Sequence, residues 1–256
     1  MSDIKEVYIR SVGRAIKILE AFNNKSKLGI TEISKMLQIP KSTTHDIVTT
    51  LEKEGILEKD SESSKYYLGI KLFELGDRAR ENFELRKVAI PYLKELNEMF
   101  DETVHLTVPE NGEVLYIECF ESTKRLRTYS VIGIRAPMYC TAVGKAILAF
   151  LPDKEINKII GKGLKRFTNN TITDNKKLLD ELKKIRKTGY AVDNMEHEEG
   201  VRCVGAPIKE NSGYPIASIS ISGPSQRITD EMIPQLAFHT IRVANAISER
   251  IVYRKR

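Results

Sequence analysis

The stretch LGITEISKMLQIPKSTTHDIVTTLEKEGIL, residues 28–57, contains two short helical patterns separated by a break. Apolar residues at positions 30, 33 and 37 share one face of the first predicted helix, and the break falls at residues 38–40. Pro40 suits the first turn of the second helix, where a missing N–H removes no hydrogen bond. The inward face of this second helix is predicted to hold Thr44, Ile47, Val48 and Leu51. Two amphipathic helices in this order indicate a helix-turn-helix motif.

The outward face of the second helix is polar and is predicted to contact nucleic acid. In such motifs the second helix enters the major groove, and its N-terminus favours a phosphate. Hydroxyl side chains near that end can hydrogen-bond phosphates or base edges. The residues predicted to contact DNA are Arg10, Arg14, Lys41, Ser42, Thr43, His45, Thr49 and Lys65. Asp46 is repelled by phosphate, so it either accepts from a cytosine amino group or holds a neighbouring basic side chain.

The residues on either side of this motif extend it into a winged helix-turn-helix. Gly55 ends the second helix, and residues 56–59 and 66–68 are predicted strands around a polar tip. A helix before the motif is predicted to bury an apolar face made of Val12, Ala15, Ile16, Leu19 and Phe22. Residues 1–69 therefore form the first predicted domain.

Length, charge and cysteine content limit the class of protein. A chain of 256 residues with 41% hydrophobic residues can bury two cores. The net charge of +6 permits nucleic-acid binding, but residues 1–82 carry 14 Lys and Arg against 13 Asp and Glu, a net of only +1. Cysteines at positions 119, 140 and 203 lack metal-ligand spacing and suit reduced thiols in a cytoplasm. We find no signal peptide or membrane-length apolar run, and we expect neither cofactor nor metal.

After the wing, residues 70–84 are predicted as a charged linker helix and residues 85–256 as a second domain. Its first helix contains Pro91, a predicted kink or weak point. Strands are predicted at 103–108, 113–120, 201–208 and 214–222, and further helices at 178–187 and 229–252. Hairpins mixed with helices make this an α+β domain with a mainly antiparallel sheet.

Motifs along nearly the whole chain resemble those of the IclR-type bacterial transcription regulators. They are RAIKIL at 14–19, IPKST at 39–43, YLG at 67–69, TAVGKAILA at 141–149, TIT at 171–173, GYAVD at 189–193 and EGVRCVGAPI at 199–208. Several ordered motifs at family-like spacing make this match specific. The sequence departs from the family at Asp46, where the family often has a basic residue.

The resemblance implies that the second domain has a GAF-like fold and binds a small organic or sugar acid as effector. The residues expected to bind the effector are Thr141, Ala142, Val143, Gly144, Asp193, Val201, Cys203, Ser220 and Ser222. Strand alternation is compatible with this, because it places Ser220 and Ser222 on one face of a strand. Backbone N–H groups at the helix start near Thr141 and serine hydroxyls can donate to a carboxylate. Asp193 would repel a carboxylate, so we assign it to a ligand hydroxyl or to orienting the donors.

Other functions are compatible with parts of the sequence. Cys203, His197 and Asp193 contain the residue types of a thiol nucleophile, its base and an orienting group, as in a Cys-dependent hydrolase. Glutamates surround His197 in a predicted exposed turn, which favours a solvated histidine over a catalytic base. A metal site from His105, His197 and Cys203 lacks a local ligand pair. A nonspecific DNA-packing protein conflicts with the large second domain.

We therefore expect a sequence-specific, DNA-binding transcription regulator rather than an enzyme. Its expected partners are double-stranded operator DNA, a small-molecule effector and itself, as a homodimer or a dimer of dimers, with no membrane. The effector would favour one arrangement of the domains, and the linker helix would transmit that preference to the DNA-binding domains.

Overall fold

The computed structural model describes residues 8–129 and 132–254, and the chain divides into two compact units, residues 1–83 and 84–256. The described part of the first unit consists of α1 (Arg10–Glu20), a 3₁₀ turn (Ala21–Asn24), α2 (Ile30–Leu37), α3 (Lys41–Lys53), β1 (Leu57–Lys59), β2 (Tyr66–Leu68) and α4 (Ile70–Asn82). The strands pair antiparallel, so the predicted winged helix-turn-helix is confirmed. Residues 70–84, predicted as a linker helix, contain α4, which lies within the first unit and ends one residue before its boundary.

The turn between α2 and α3 is closed by backbone and side-chain hydrogen bonds. Gln38 ends α2 in the left-handed conformation (φ 54°), and the Ile39 N–H donates to the Ser34 carbonyl at 3.1 Å. The Pro40 carbonyl accepts from both the N–H (2.9 Å) and the hydroxyl (3.1 Å) of Thr44. Thr44 can therefore be buried in α3 as predicted, although it is polar.

The prediction of the buried face of α1 is wrong in part. Phe22 is buried as expected, but Val12 and Ile16 are 53% and 52% exposed, and Ile18 is buried instead. The apolar residues of α1 form one broad stripe, and the core covers only the edge of that stripe that contains Ile18. The residues of the core formed in this unit are Ile18, Ala21, Phe22, Leu28, Ile33, Val48, Leu57 and Tyr66.

The second unit is an antiparallel sheet covered by helices on both faces, which confirms the α+β prediction. Its elements are α5 (Glu84–Phe100), β3 (Thr103–Glu110), β4 (Glu113–Phe120), β5 (Arg135–Pro137), α6 (Ala142–Leu148), α7 (Asp153–Ile160), α8 (Asn175–Thr188), β6 (Ala191–Asn194), β7 (Val201–Lys209), β8 (Pro215–Pro224) and α9 (Ile233–Arg254). The strand order is β5-β4-β3-β8-β7-β6. The last helix starts four residues later than predicted, because residues 225–232 form turns before Pro234 enters the first helical turn.

Alternation along the strands separates two cores. Val104 and Leu106 of β3 pack with α5 and α9. His105, which lies between them, points to the face that α6 covers. Helix α6 comes very close to that face at Gly205, where a Cβ would lie 2.8 Å from the Ala142 carbonyl carbon. Glycine at position 205 is therefore required for α6 to sit against the sheet.

A β-bulge in β4 reverses which face its side chains point to. Leu106 pairs with Glu118 and Thr107 pairs with Tyr116, so Ile117 is an extra residue. As a result Tyr116 lies on the α6 face of the sheet, while Glu118 lies on the α5 face. There the Arg86 guanidinium of α5 pairs with the Glu118 carboxylate at 2.5 Å.

Candidate functional site

The predicted DNA-contact residues of α3 lie on its outward face. Lys41, Ser42 and His45 are exposed, and Thr43 and Thr49 are half-buried. On α1, Arg10 is exposed and Arg14 is half-buried. Val48 and Thr44 on the opposite side of α3 are fully buried, so the polar side of the helix faces away from the core.

Asp46 and Lys65 already have partners within this unit. The Asp46 side chain is 81% exposed, and its carboxylate lies 3.5 Å from His45 Nδ1, which fits the expectation that it holds a neighbouring basic side chain. Lys65 pairs with Glu32 at 3.2 Å. The Glu32 carboxylate also accepts the Gly29 N–H at 2.9 Å, so Lys65 connects the wing to the start of α2. A DNA contact by Lys65 would have to compete with this ion pair.

The start of α6 is shaped by Thr141. Its hydroxyl donates to the Pro137 carbonyl at 2.9 Å and accepts the Gly144 N–H at 3.1 Å, so it caps the helix. A Cβ at Gly144 would lie 2.3 Å from Met138 Cα. Gly144 is therefore a packing residue whose N–H is already satisfied, whereas the prediction placed it among the effector ligands.

A cavity of about 190 Å³ lies between the start of α6 and the sheet. Eight of the nine predicted effector residues line it, and Gly144 is the exception. Its lining residues are His105, Tyr116, Thr128, Tyr129, Ile134, Arg135, Ala136, Thr141, Ala142, Val143, Asp193, His197, Glu198, Val201, Cys203, Ser220 and Ser222. The cavity is thus built from all six strands of the sheet, one helix start and two loops.

One end of the cavity, the neutral pole, consists of His105, Ser220 and Ser222. His105 Nδ1 lies 3.3 Å from the Ser220 hydroxyl and 3.2 Å from the Ser222 hydroxyl. Burial lowers the pKa of His105 to about 4, so the imidazole is uncharged at neutral pH. The Tyr116 ring stands edge-on to the imidazole with 5.2 Å between ring centres. These groups offer hydrogen bonds without a net charge.

A second group of side chains, the charged pole, consists of Asp193, which lines the cavity, and of Lys145 and Glu196, which are buried beside it. Asp193 lies on β6 opposite Cys203 of β7, and its carboxylate accepts the Glu196 N–H at 2.7 Å. Burial raises the pKa of Asp193 to about 7. Lys145, on α6, forms a buried ion pair with Glu196.

The thiol and imidazole proposed for a hydrolase do not have the properties of a catalytic pair. Burial, and then the nearby Asp193 carboxylate, raise the pKa of the Cys203 thiol, which disfavours the thiolate nucleophile. The prediction that His197 lies exposed in a turn is wrong. Its ring is half-buried with its centre 5.0 Å from that of Phe167, and burial lowers its pKa. Among the described residues, no three His, Cys, Asp or Glu side chains converge to hold a metal ion.

The sequence analysis missed several residues of the cavity. His105 was considered only as a metal ligand, although its alternation on a predicted strand could have placed it beside the serines. Arg135 lies on β5, a strand of only three residues that has too few positions to show a period. Lys145, which is buried beside the cavity rather than lining it, occurs in the sequence only as part of a motif, and its partner Glu196 is 51 residues away along the chain.

Comparisons with known proteins define the class of this chain. The IclR helix-turn-helix domain matches residues 11–61, and the domain described as "Bacterial transcriptional regulator IclR C-terminal" matches residues 78–249. The chain belongs to the IclR family of bacterial transcriptional regulators. It is a DNA-binding transcription regulator with an effector-binding C-terminal domain.

Individual relatives agree with this class over nearly their whole length. The chain is 37% identical over 246 residues to the HTH-type transcriptional regulator KdgR of Escherichia coli K12, which covers 96% of this chain and 94% of that protein. An IclR regulator from Alicyclobacillus acidocaldarius superimposes with a TM-score of 0.86 at 25% identity, covering 95% and 99% of the two chains. An IclR homologue from Microbacterium hydrocarbonoxydans, solved in complex with 4-hydroxybenzoate, gives 0.81 at 25% identity, covering 93% and 98%.

Every helix among residues 8–129 and 132–254 is too short or too polar to span a lipid bilayer.

Proposed function

We propose that the cavity of the second unit binds a small organic or sugar acid and that this ligand controls operator binding. The observation that carries the proposal is the convergence of Asp193, Cys203, Ser220 and Ser222, from three strands, on one enclosed space beside α6. Such a space with a few converging polar groups is typical of a metabolite site. The IclR homologue solved with 4-hydroxybenzoate supports a carboxylate as the ligand.

The lining suggests how such an acid would be oriented. Arg135 brings a positive charge to the cavity from β5, and the serine hydroxyls can donate to carboxylate oxygens. Val143 and Val201 supply apolar contacts for the carbon skeleton. We assign Asp193 to a hydroxyl of the ligand or to orienting the donors, and we extend the ligand set to His105 and Arg135.

Ligand binding can be tested by calorimetry and thermal unfolding with sodium pyruvate, D-gluconate and 4-hydroxybenzoate. A ligand that binds the folded state raises the melting temperature. We expect Ser220→Ala to weaken binding about tenfold, since a lost hydrogen bond to a charged group costs about 1.5 kcal/mol. Ser212→Ala, in the exposed turn before β8, is the matched control. Equal affinity in both variants would place the ligand elsewhere.

We further propose that residues 1–69 bind DNA as part of a homodimer or a dimer of dimers. Apolar side chains of α1 and α4 are exposed in the first unit, including Val12, Ile16, Ile70 and Phe73. An exposed apolar patch of this kind suits contact with a second copy. A dimer would read an inverted repeat with half-sites about one helical turn (~10 bp) apart or a multiple of that. Footprinting of a single half-site by a monomer would contradict this.

In this mechanism residues 70–84 form a linker helix and residues 85–256 the sensor. The effector shifts the equilibrium toward the domain arrangement that it binds more tightly, and the linker helix changes the spacing of the DNA-binding domains. The protein acts on operator DNA in the bacterial cytoplasm and has no catalytic role. Operator retention with and without the bound acid, measured beside a thioesterase assay, distinguishes a regulator from a hydrolase.

A further inference from the structure

Two members of the charged pole, Lys145 and Glu196, do not line the cavity but are buried beside it. The Lys145 ammonium donates to the Val192 carbonyl at 2.7 Å and to the Glu196 carboxylate. The second oxygen of that carboxylate, Oε2, is buried and has no hydrogen-bond partner among the described residues. The Lys145 ammonium is thus paired directly with Glu196, and it acts on the nearby Asp193 carboxylate through space.

The loop after β6 is fixed by hydrogen bonds to Asp193 itself and to two threonines, Thr168 and Thr171. The Glu196 N–H donates to the Asp193 carboxylate at 2.7 Å. The Thr168 hydroxyl donates to the Met195 carbonyl at 2.6 Å. The Thr171 hydroxyl donates to the Glu196 carbonyl, also at 2.6 Å. Because the loop is anchored, Asp193 cannot easily swing away from an anion that enters the cavity.

Four of the titratable groups around Asp193 are held neutral by burial. Burial raises the pKa of the thiols of Cys203 and Cys140 and of the Tyr116 phenol, and it keeps His105 uncharged. The other ionisable groups that face Asp193 or its partners are Lys145 of α6, Glu196, His197 and Glu198 of the following loop, Glu181 of α8 and Arg135 of β5. Burial places the pKa of Asp193 itself near 7, so its proton is exchanged close to neutral pH.

We propose that the cavity binds its organic acid together with one proton held by Asp193, and that Lys145 and Glu196 are positioning residues that set the pH of this coupling. This rests on the proposed function, because it requires an anion in the cavity. An ionised Asp193 repels a bound carboxylate, whereas a protonated Asp193 can donate a hydrogen bond to it. The proton comes from solvent and is released again when the acid leaves, and no covalent bond to carbon changes.

The coupling predicts a definite dependence of affinity on pH. Below the pKa of Asp193 in the free protein, the proton is already present and the affinity is constant. Above that pKa each bound anion takes up one proton, so affinity falls about tenfold per pH unit until the pKa of the complex is reached. Simple carboxylic acids stay ionised throughout this range, so the change reports the protein.

The test is calorimetry of the whole chain with pyruvate, D-gluconate and 4-hydroxybenzoate between pH 5.5 and 8.5. Phosphate and Tris buffers have different ionisation enthalpies, so comparing them counts the protons taken up. Carbon-13 NMR of labelled aspartate, assigned with Asp193→Asn, follows the same carboxyl group without any ligand. We expect Asp193 to titrate near neutral pH and proton uptake to appear above it.

Variants distinguish positioning from a merely structural role. Glu196→Gln removes a neighbouring negative charge, so the fall in affinity should begin at a lower pH. Lys145→Met removes the positive charge, so the fall should begin at a higher pH. Asp193→Asn should give a flat profile. Lys183→Met, which removes an exposed ion pair on α8, is the control that should leave the profile unchanged.

The outcomes separate this inference from the proposed function. Tight binding with a flat pH profile, or an Asp193 that titrates below pH 5 in the free protein, overturns the coupling alone. If Glu196→Gln and Lys145→Met lower the affinity equally at every pH, these two residues do not set the pH of the coupling, and their positioning roles are overturned. Failure of all three acids to bind overturns the proposed ligand class and, with no anion to couple, this inference as well.

Discussion

The two poles of the cavity bury polar groups in opposite ways. At the neutral pole, the His105 imidazole and two serine hydroxyls satisfy one another and burial removes the charge. At the charged pole, Lys145 is buried with two carboxylates, and Oε2 of Glu196 lacks a hydrogen-bond partner among the described residues. The neutral pole is therefore complete in itself, whereas the charged pole keeps an electrostatic imbalance that an additional proton can relieve.

The largest expected effect is at Lys145. Lys145→Met leaves the Glu196 carboxylate buried without its cation, and we expect a loss of about 3–5 kcal/mol in the free energy of unfolding. Urea unfolding at pH 7.5 measures this loss. Lys183→Met, in an exposed ion pair, should change stability by less than about 0.5 kcal/mol. Similar losses of stability for the two variants would mean that the buried ion pair of the charged pole contributes no more than an exposed one.

Acidification should stabilise the folded protein through Asp193 of the charged pole and destabilise it through His105 of the neutral pole. Because the pKa of Asp193 is raised from its usual 3.8 to about 7, the folded state binds the proton more tightly than the unfolded state. Its contribution therefore grows as the pH falls from 7 toward 3.8, by about 3 kcal/mol at pH 5 relative to pH 8. Asp193→Asn should lose this gain and become less stable on acidification, which urea midpoints at both pH values would reveal.

His105 should have the opposite effect. Its pKa is lowered from 6.5 to about 4, so the unfolded state binds the proton more tightly. Stability is lost as the pH falls from 6.5 toward 4, by about 2 kcal/mol at pH 5. His105→Asn keeps a polar side chain and should unfold at nearly the same urea concentration at pH 5 and 7 once the Asp193 contribution is subtracted. An unchanged acid sensitivity would mean that His105 is charged in the folded protein.

The smallest effect is expected at Ser222. Its hydroxyl makes one hydrogen bond to the His105 ring and shares another with Ser220. Ser222→Ala should cost about 1 kcal/mol at pH 7, because the His105 imidazole is uncharged there. A loss above about 3 kcal/mol at pH 7 would show that Ser222 contacts a charged group.

The sequence was most informative where a pattern repeats. The period of α3 correctly separates buried Val48 from exposed His45, and alternation along β8 correctly places Ser220 and Ser222 together. The same logic failed in part for α1, because its apolar stripe is wider than the surface that packs against the core. Periodicity therefore predicts which face of a helix is apolar, but not how much of that face the core covers.

The charged pole could not be derived from local patterns. Lys145 lies in an otherwise apolar helix, and a lysine there is expected to reach solvent. Only the tertiary fold brings it to Glu196, in a loop that sequence alone presented as an exposed acidic turn. At Gly144, which the family motif suggests as a ligand residue, the structure shows a close approach to Met138 that only the tertiary fold reveals.

The bulge at Ile117 also determines which changes in chain length this protein can accept. With the extra residue, Tyr116 contributes to the cavity wall and Glu118 pairs with Arg86 on the opposite face. Deleting Ile117 would restore strict alternation, and either the aromatic wall or the partner of Arg86 would then point to the wrong face. An insertion in the exposed turn at Asn111 leaves both assignments intact. A position within β4 and the turn just before this strand thus differ completely in their tolerance of insertions and deletions.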